Sequence, residues 1–221
     1  MESDLRKMSE LFDALLAEVK SKFSSAKGCH DFEHIMRVVK NTEHLLTLLP
    51  EADREITLCG ALMHDFCRRE EDDSDGKLDH AALGEKVVYA LLLDKGCPQE
   101  QAAAISSIVG RHRFRSGKTP ETLEEKIVYD ADKLDSLGAI GIGRAFLFAG
   151  KTGAKLHNSA EEALAGSAYS CEDTAFREYL VKLRHLPEKM QTLPGREIAT
   201  KRLEFMTEFF ERLSAEDSGL R

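Results

Sequence analysis

His64 and Asp65 stand side by side in G-A-L-M-H-D-F-C-R-R, residues 60–69, where the most apolar helical stretch in the first half of the chain ends. Ile56, Leu58, Cys59, Ala61, Leu62, Met63 and Phe66 fall on every side of a helix, so this helix should be buried all round. A carboxylate placed there is costly unless it is paired, hydrogen-bonded or bound to a metal. A lone histidine at such a place is ordinarily a hydrogen-bonded core residue, and His30-Asp31 repeats the same dipeptide, so the pair decides nothing alone. Its company along the chain does more. His34 lies among Phe32, Ile35, Val38 and Val39, and the carboxylates Asp130, Asp132 and Asp135 lie in a run with Ile127, Val128, Ala131 and Leu134. On a helix Asp132 and Asp135 share a face with Val128 and Ala131, while Asp130 points away; the choice among them stays open at this point. Two imidazoles and two carboxylates make a mixed nitrogen and oxygen set that suits Mn²⁺, Fe²⁺, Co²⁺, Ni²⁺ or Zn²⁺ better than Ca²⁺. Four protein ligands on an octahedral ion leave room for water and a substrate oxygen, which metal-assisted hydrolysis needs.

The elements that must position these groups all read as helices, with no alternating run long enough for a strand. The periodicity predicts a helix over 5–23, a loop over 24–28, and a second helix over 32–49 with Asp31 as its N-cap and Pro50 beyond its end. A third covers 52–67. The run E-E-D-D-S-D-G-K, residues 70–77, reads as a solvated acidic loop. A helix over 80–95 should stop at Gly96, and Pro98 should open another at its first turn that runs to His112. Residues 111–118 form a basic loop, and Thr119-Pro120 caps a helix through Leu137. Gly138, Gly141 and Gly143 permit close packing or a bend; with no strand before them and no Lys-Ser/Thr after, they do not make a phosphate loop. Residues 149–170 read as an irregular, mobile loop, and two helices follow over 172–190 and 196–214, separated by Leu193-Pro194-Gly195. This is one all-α domain over residues 1–221, with a core over about 25–140 and the C-terminal helices packed on it.

A chain of 221 residues with 42% hydrophobic and 32% charged residues can bury a sizeable core. The net charge of −8 argues against nucleic acid as a partner and makes a cluster of cations the handle for any phosphate substrate. The 5 cysteines are odd in number and lack zinc-site spacing, which points to a reducing, cytoplasmic setting. The amphipathic start, with Leu5, Met8, Leu11, Phe12, Leu15 and Val19, lacks the apolar core of a signal peptide, and no run suits a membrane span.

The order H-x-x-R-V (His34, Arg37, Val38), A-L-M-H-D (His64, Asp65) and D-A-D-K-L-D (Asp130 to Asp135) resembles the HD-domain metal-dependent phosphohydrolases. The longer strings C-H-D-F-E-H-I-M-R-V and Y-D-A-D-K-L-D-S-L-G-A-I-G-I-G-R are similar to one subgroup, the stand-alone bacterial HD-domain hydrolases, some of which are nucleotide pyrophosphohydrolases. The resemblance covers roughly residues 5–215. It implies an all-α helical bundle with a metal site at its centre, and His34, His64, Asp65 and Asp132 as the ligands. It implies a divalent transition ion, manganese first, with nickel, cobalt, iron, zinc or magnesium as alternatives. His80 and His112 match positions that are often histidine in the wider family, where they bind a second metal or contact the scissile phosphate.

Arg37 lies one helical turn from His34 and can hold a phosphate; Lys133 and Arg144 are further candidates. Arg111, Arg113 and Arg115 line the mouth of the site or balance an acidic surface, and His44, His157 and His185 read as surface residues. The reading is a hydrolase of phosphoester or phosphoanhydride bonds in nucleotides, as a nucleoside triphosphate pyrophosphohydrolase or a nucleotidase. In it Asp65 bridges or orients the nucleophile, and His80 or His112, with Arg37 or Lys133, stabilises charge. The alternative is a non-catalytic regulatory or ligand-sensing module, in which one of the four ligands would be missing; none is.

Overall fold

Among the described residues of the computed structural model, eleven α-helices and two short 3₁₀ turns account for the regular structure, and no strand occurs. The structure describes residues 2–24, 31–74, 76–113 and 117–220, with side chains from residue 10 onward. Cys29, His30 and Arg115 lie outside that set. Among the described residues, no helix is long and apolar enough to cross a membrane. The helices gather into two compact units, Met1–Asp132 and Lys133–Arg221.

In the first unit α1 (Glu2–Lys22) buries Leu11, Leu15 and Val19, four residues apart on one face. α2 (Phe32–Leu48) starts at Asp31, whose carboxylate accepts the His34 backbone N–H at 2.9 Å, and buries Ile35, Val38, Val39, Leu45 and Leu46. α3 (Arg54–Met63) is capped by Asp53 and buried all round over its last half, from Cys59 to Met63. It packs on α1, on α2 and on α6. At the crossing with α6, a Cβ on Gly60 would stand 2.7 Å from the Ile108 side chain, so this approach requires glycine. α3 ends at Met63 rather than at Cys67, and His64 is its C-cap.

The acidic run expected as a solvated loop folds instead. α4 (Arg68–Asp73) follows directly, with Glu71 buried. α5 (His80–Asp94), capped by Asp79, pairs closely with α6 (Gln99–Arg111), for which Pro98 is the N-cap. α7 (Leu123–Leu134) begins later than Thr119-Pro120 suggested. Thr122 and Glu125 form a capping box there: Glu125 N–H donates to Thr122 Oγ1 at 3.3 Å, and Thr122 N–H to Glu125 Oε2 at 3.2 Å. Asn41 Nδ2 of α2 donates to the Ala131 carbonyl of α7 at 3.1 Å, next to Asp132.

In the second unit the glycine-rich stretch is helical. α8 (Gly138–Thr152) opens at Gly138, whose φ of +70° suits only glycine comfortably, and it packs on α11 (Leu193–Asp217). The stretch expected as irregular holds α9 (Ala160–Ala165), closed by a Ser159/Glu162 capping box, and α10 (Ala175–Val181) follows it. Leu193-Pro194-Gly195 is the first turn of α11, capped by Thr192, rather than a break. Phe210 is the centre of this unit, with Tyr179 stacked at 4.7 Å and Phe176 and Phe209 at 5.7 and 5.3 Å.

Candidate metal centre

Four helix ends and one helix face of the first unit bring ionisable groups together out of water. His34 is in the first turn of α2, His64 and Asp65 follow the end of α3, His80 opens α5, and His112 is the C-cap of α6. His34 and His64 are fully buried, His80 and His112 are 2% exposed, and Asp65 is 4% exposed. Asp65 is the hub. Its Oδ2 lies 3.6 Å from His34 Nε2 and 3.7 Å from His64 Nε2, and its Oδ1 lies 2.9 Å from His80 Nε2 and 3.4 Å from His112 Nε2. Asp132 Oδ1 on α7 lies 3.6 Å from His34 Nε2.

The ring orientations are set from behind. His64 Nδ1 lies 2.7 Å from the Ala61 carbonyl and His112 Nδ1 lies 2.7 Å from the Val109 carbonyl, so each donates its Nδ1–H and turns an Nε2 lone pair inward. His64 Nε2 then stands 3.3 Å from His34 Nε2, and His112 Nε2 stands 3.1 Å from His80 Nε2. Lone pairs and carboxylate oxygens converging at such distances without water repel unless a proton or a cation lies among them. Donors about 2.1 Å from a shared ion stand ~3 Å apart at right angles. The His34, His64, Asp65 set fits a divalent ion on both counts, with Asp132 beside it, and Asp65, His80 and His112 form a second such set. The donors are nitrogen and carboxylate oxygen, the mixture that borderline transition ions take.

Burial pushes the His112 imidazole well below the usual range, to about 4, against the pull of the Asp65 carboxylate. His112 is therefore neutral near pH 7 and an acceptor at Nε2. For Glu71, burial raises the carboxyl, but the backbone and ring donors of His80 and the Arg113 guanidinium outweigh it and hold it at about 2. A third acidic grouping, Glu71, Asp79 and His80, already has its cation: Arg113 Nη1 is 2.7 Å from Glu71 and 4.0 Å from Asp79.

Of the three carboxylates left open by the sequence, Asp132 is the one placed against His34. Asp135 pairs with Arg144 at 2.7 Å in the second unit, so that arginine is engaged with a carboxylate. Asp130, expected to point outward, is fully buried. Arg37 is half-buried one turn beyond His34, and Lys133, also half-buried, follows Asp132. Arg111 is engaged by Glu121, Glu125 and the Thr119 carbonyl, so Arg111 and Arg113 both serve acidic neighbours. The residue missed from sequence is Glu71, hidden in a run of acidic residues. Its signal is the buried partner nine residues on, which only the fold reveals.

Comparison with known proteins agrees with this geometry. The model of the HD domain family matches residues 31–137. The uncharacterized protein YpgQ of Bacillus subtilis is 33% identical over 207 residues, 91% of each chain. The crystal structure of B. subtilis YpgQ in complex with ADP superposes with a TM-score of 0.72 at 30% identity over 96% of each chain. An HD-superfamily hydrolase from Bacillus thuringiensis gives 0.73 at 26% identity, over 96% of this chain and 98% of that one. A predicted HD superfamily hydrolase from an uncultured Thermotogales bacterium gives 0.65 at 26%, over 92% and 91%. With the ordered His34, His64-Asp65 and Asp132 set and these likenesses together, the chain belongs to the HD-domain family.

Proposed function

We propose that this chain is a metal-dependent phosphohydrolase that acts on nucleotides, cleaving a phosphoanhydride or phosphoester bond. The observation that carries the reading is Asp65, one carboxylate whose two oxygens each face a pair of buried imidazole nitrogens. The HD-superfamily hydrolases among its structural neighbours support the reaction class, and the ADP complex of B. subtilis YpgQ supports a nucleotide.

His34, His64, Asp65 and Asp132 would hold the ion: their mixed donors suit a divalent transition ion, and the family resemblance puts manganese first. When bound, a divalent ion supplies Lewis-acid activation of water and neutralises charge on a phosphate oxygen. The protein side of the reaction follows from donors and acceptors. Asp65 Oδ1 and His112 Nε2 are acceptors, so this half of the site can orient the hydrogens of an attacking water or take its proton, and cannot donate to phosphate. Donors to phosphate must come from cationic side chains, and Arg37 and Lys133 are the candidates nearest in sequence to the ligands. A net charge of −8 repels a polyphosphate at a distance, so a local cation is needed for capture. The free Cys59, Cys67, Cys97 and Cys171 fit a reducing, cytoplasmic setting.

A nucleotide panel run with Mn²⁺, Co²⁺ and Mg²⁺, and read out as phosphate against pyrophosphate, tests this. Turnover of at least one nucleotide that stops on chelation is expected. No turnover with any ion, from protein shown to be metal-loaded, overturns it in favour of a sensing module.

A further inference from the structure

His80 differs from His64 and His112 in what stands behind it. His64 and His112 are backed by carbonyls of their own helices, whereas His80 Nδ1 lies 2.7 Å from Glu71 Oε2. The same oxygen accepts the backbone N–H of His80 at 3.0 Å and lies 2.7 Å from Arg113 Nη1. Glu71 thus holds both the main chain and the ring of one residue, at the first turn of α5. At the far edge of that ring, Nε2 is 2.9 Å from Asp65 Oδ1 and 3.1 Å from His112 Nε2. The imidazole is strung between two buried carboxylates, one inside the candidate centre and one outside it.

Two neutral tautomers are conceivable, and the contacts behind the ring favour one of them. With the proton on Nε2, the Nδ1 lone pair would face the Glu71 carboxylate oxygen at 2.7 Å with no hydrogen between them, and that buried carboxylate would lose a donor. With the proton on Nδ1, Glu71 Oε2 receives three donors, and the lone pair at Nε2 turns inward beside Asp65 Oδ1 and His112 Nε2, a convergence of acceptors that a cation held by Asp65, His80 and His112 would relieve. Arg113 Nη1 then stands 2.7 Å from Nδ1 because both donors converge on one oxygen, and the guanidinium has further N–H groups to aim at that oxygen alone. Carboxylate backing also fixes the orientation of the ring, as it does behind metal-bound and catalytic histidines.

We propose that Glu71, with its charge balanced by Arg113, is a positioning residue. It fixes His80 as the Nδ1–H tautomer and turns the Nε2 lone pair toward Asp65 and His112. Its contribution to hydrolysis passes through His80. This rests on the phosphohydrolase reading for its kinetic arm only; the ring assignment needs no substrate.

The test combines ¹⁵N-histidine NMR on the Zn²⁺-loaded chain with a double-mutant cycle. Wild type should show His80 protonated at Nδ1, as for His64 and His112. In Glu71→Gln the His80 pattern should change while those of His64 and His112, held by carbonyls, stay in place and report an intact fold. kcat/KM should fall ten- to a hundredfold in Glu71→Gln, and Glu71→Gln added to His80→Gln should cost no more than a further twofold. Glu71→Asp should recover part of the loss. A wild-type His80 protonated at Nε2 overturns the proposal, and so do an unchanged His80 in Glu71→Gln or losses that multiply in the double variant. Should Glu71→Gln fail to fold, the wild-type tautomer still decides. Should no nucleotide turn over, the function falls and the ring assignment stands or falls by the NMR alone.

Discussion

His64 and His112 are held in the same way: each is the C-cap of its helix, and each has Nδ1 2.7 Å from the carbonyl three residues earlier. A helix end has spare carbonyls, and here two of them fix the direction of two imidazoles whose rings meet edge to face at 5.2 Å. The neutrality of His112 has a consequence for stability. Its folded-state value, about 4, lies below the ordinary 6.5, so the unfolded chain binds more protons between the two. Stability is therefore fully present above about pH 6.5 and is lost as pH falls toward 4, at up to about 1.4 kcal/mol per pH unit from this group. Urea unfolding of the chelator-treated chain at pH 7, 6 and 5 should show the loss, and His112→Gln should flatten it. An unchanged slope in the variant would remove His112 as the cause.

Asp65→Ala should abolish hydrolysis and most metal binding, because one side chain serves both pairs of imidazoles. Asp72→Ala, on an exposed neighbour whose side chain is 59% accessible, should leave both within about twofold. Asp130→Ala makes a poor control: Asp130 is fully buried, so its loss should lower Tm whatever it does to activity. Elemental analysis and calorimetry on the three variants check this, and an Asp65→Ala protein that keeps more than a tenth of wild-type turnover would take Asp65 out of the centre.

Gly60→Ala should be costly for a single methyl group. The added carbon would stand 2.7 Å from Ile108, pushing apart α3 and α6, the helices that carry His64 and His112. Overpacking of this kind costs about 1–3 kcal/mol, or several degrees in Tm for a chain of this size. Weaker Mn²⁺ binding should accompany it. A variant with wild-type Tm and affinity would show that the crossing tolerates the shift.

Thiol reactivity should divide the cysteines. Burial pushes the thiol of Cys59 up to about 12 and that of Cys67 to about 11, with nearby negative charge adding to both, while Cys171 is exposed. A thiolate is the reactive form. Among the described cysteines, Cys171 should label within minutes at pH 8 and Cys59, Cys67 and Cys97 only on unfolding. Peptide mapping after a short pulse reads this directly.

The parts legible in the sequence were those where an ionisable group interrupts an apolar helical period: His34 among Ile35, Val38 and Val39, and His64-Asp65 after Leu62 and Met63. Burial follows from the pattern, and a buried charge demands a partner. The pattern could not choose between Asp132 and Asp135, since a helical reading puts both on the face shared with Val128 and Ala131; the family resemblance pointed to Asp132. Glu71 was illegible for a different reason. Its acidic neighbours look alike in one dimension, and what buries it is a turn of nine residues that brings His80 back onto it. The helices over 138–152 and 160–165 escaped because glycine and small residues carry little period, so packing against α11 and a Ser159/Glu162 capping box decide them.

The central claim is that the convergent nitrogens and carboxylates around Asp65 bind a divalent ion. Titration of Mn²⁺ into the chelator-stripped, untagged chain, followed by electron paramagnetic resonance of the free ion, addresses it most directly. Saturable binding of at least one ion per chain, lost in Asp65→Ala and weakened in His34→Ala and His64→Ala, is the predicted result. Wild-type protein that leaves Mn²⁺ free throughout, and takes up no Ni²⁺ in the same experiment, would contradict it.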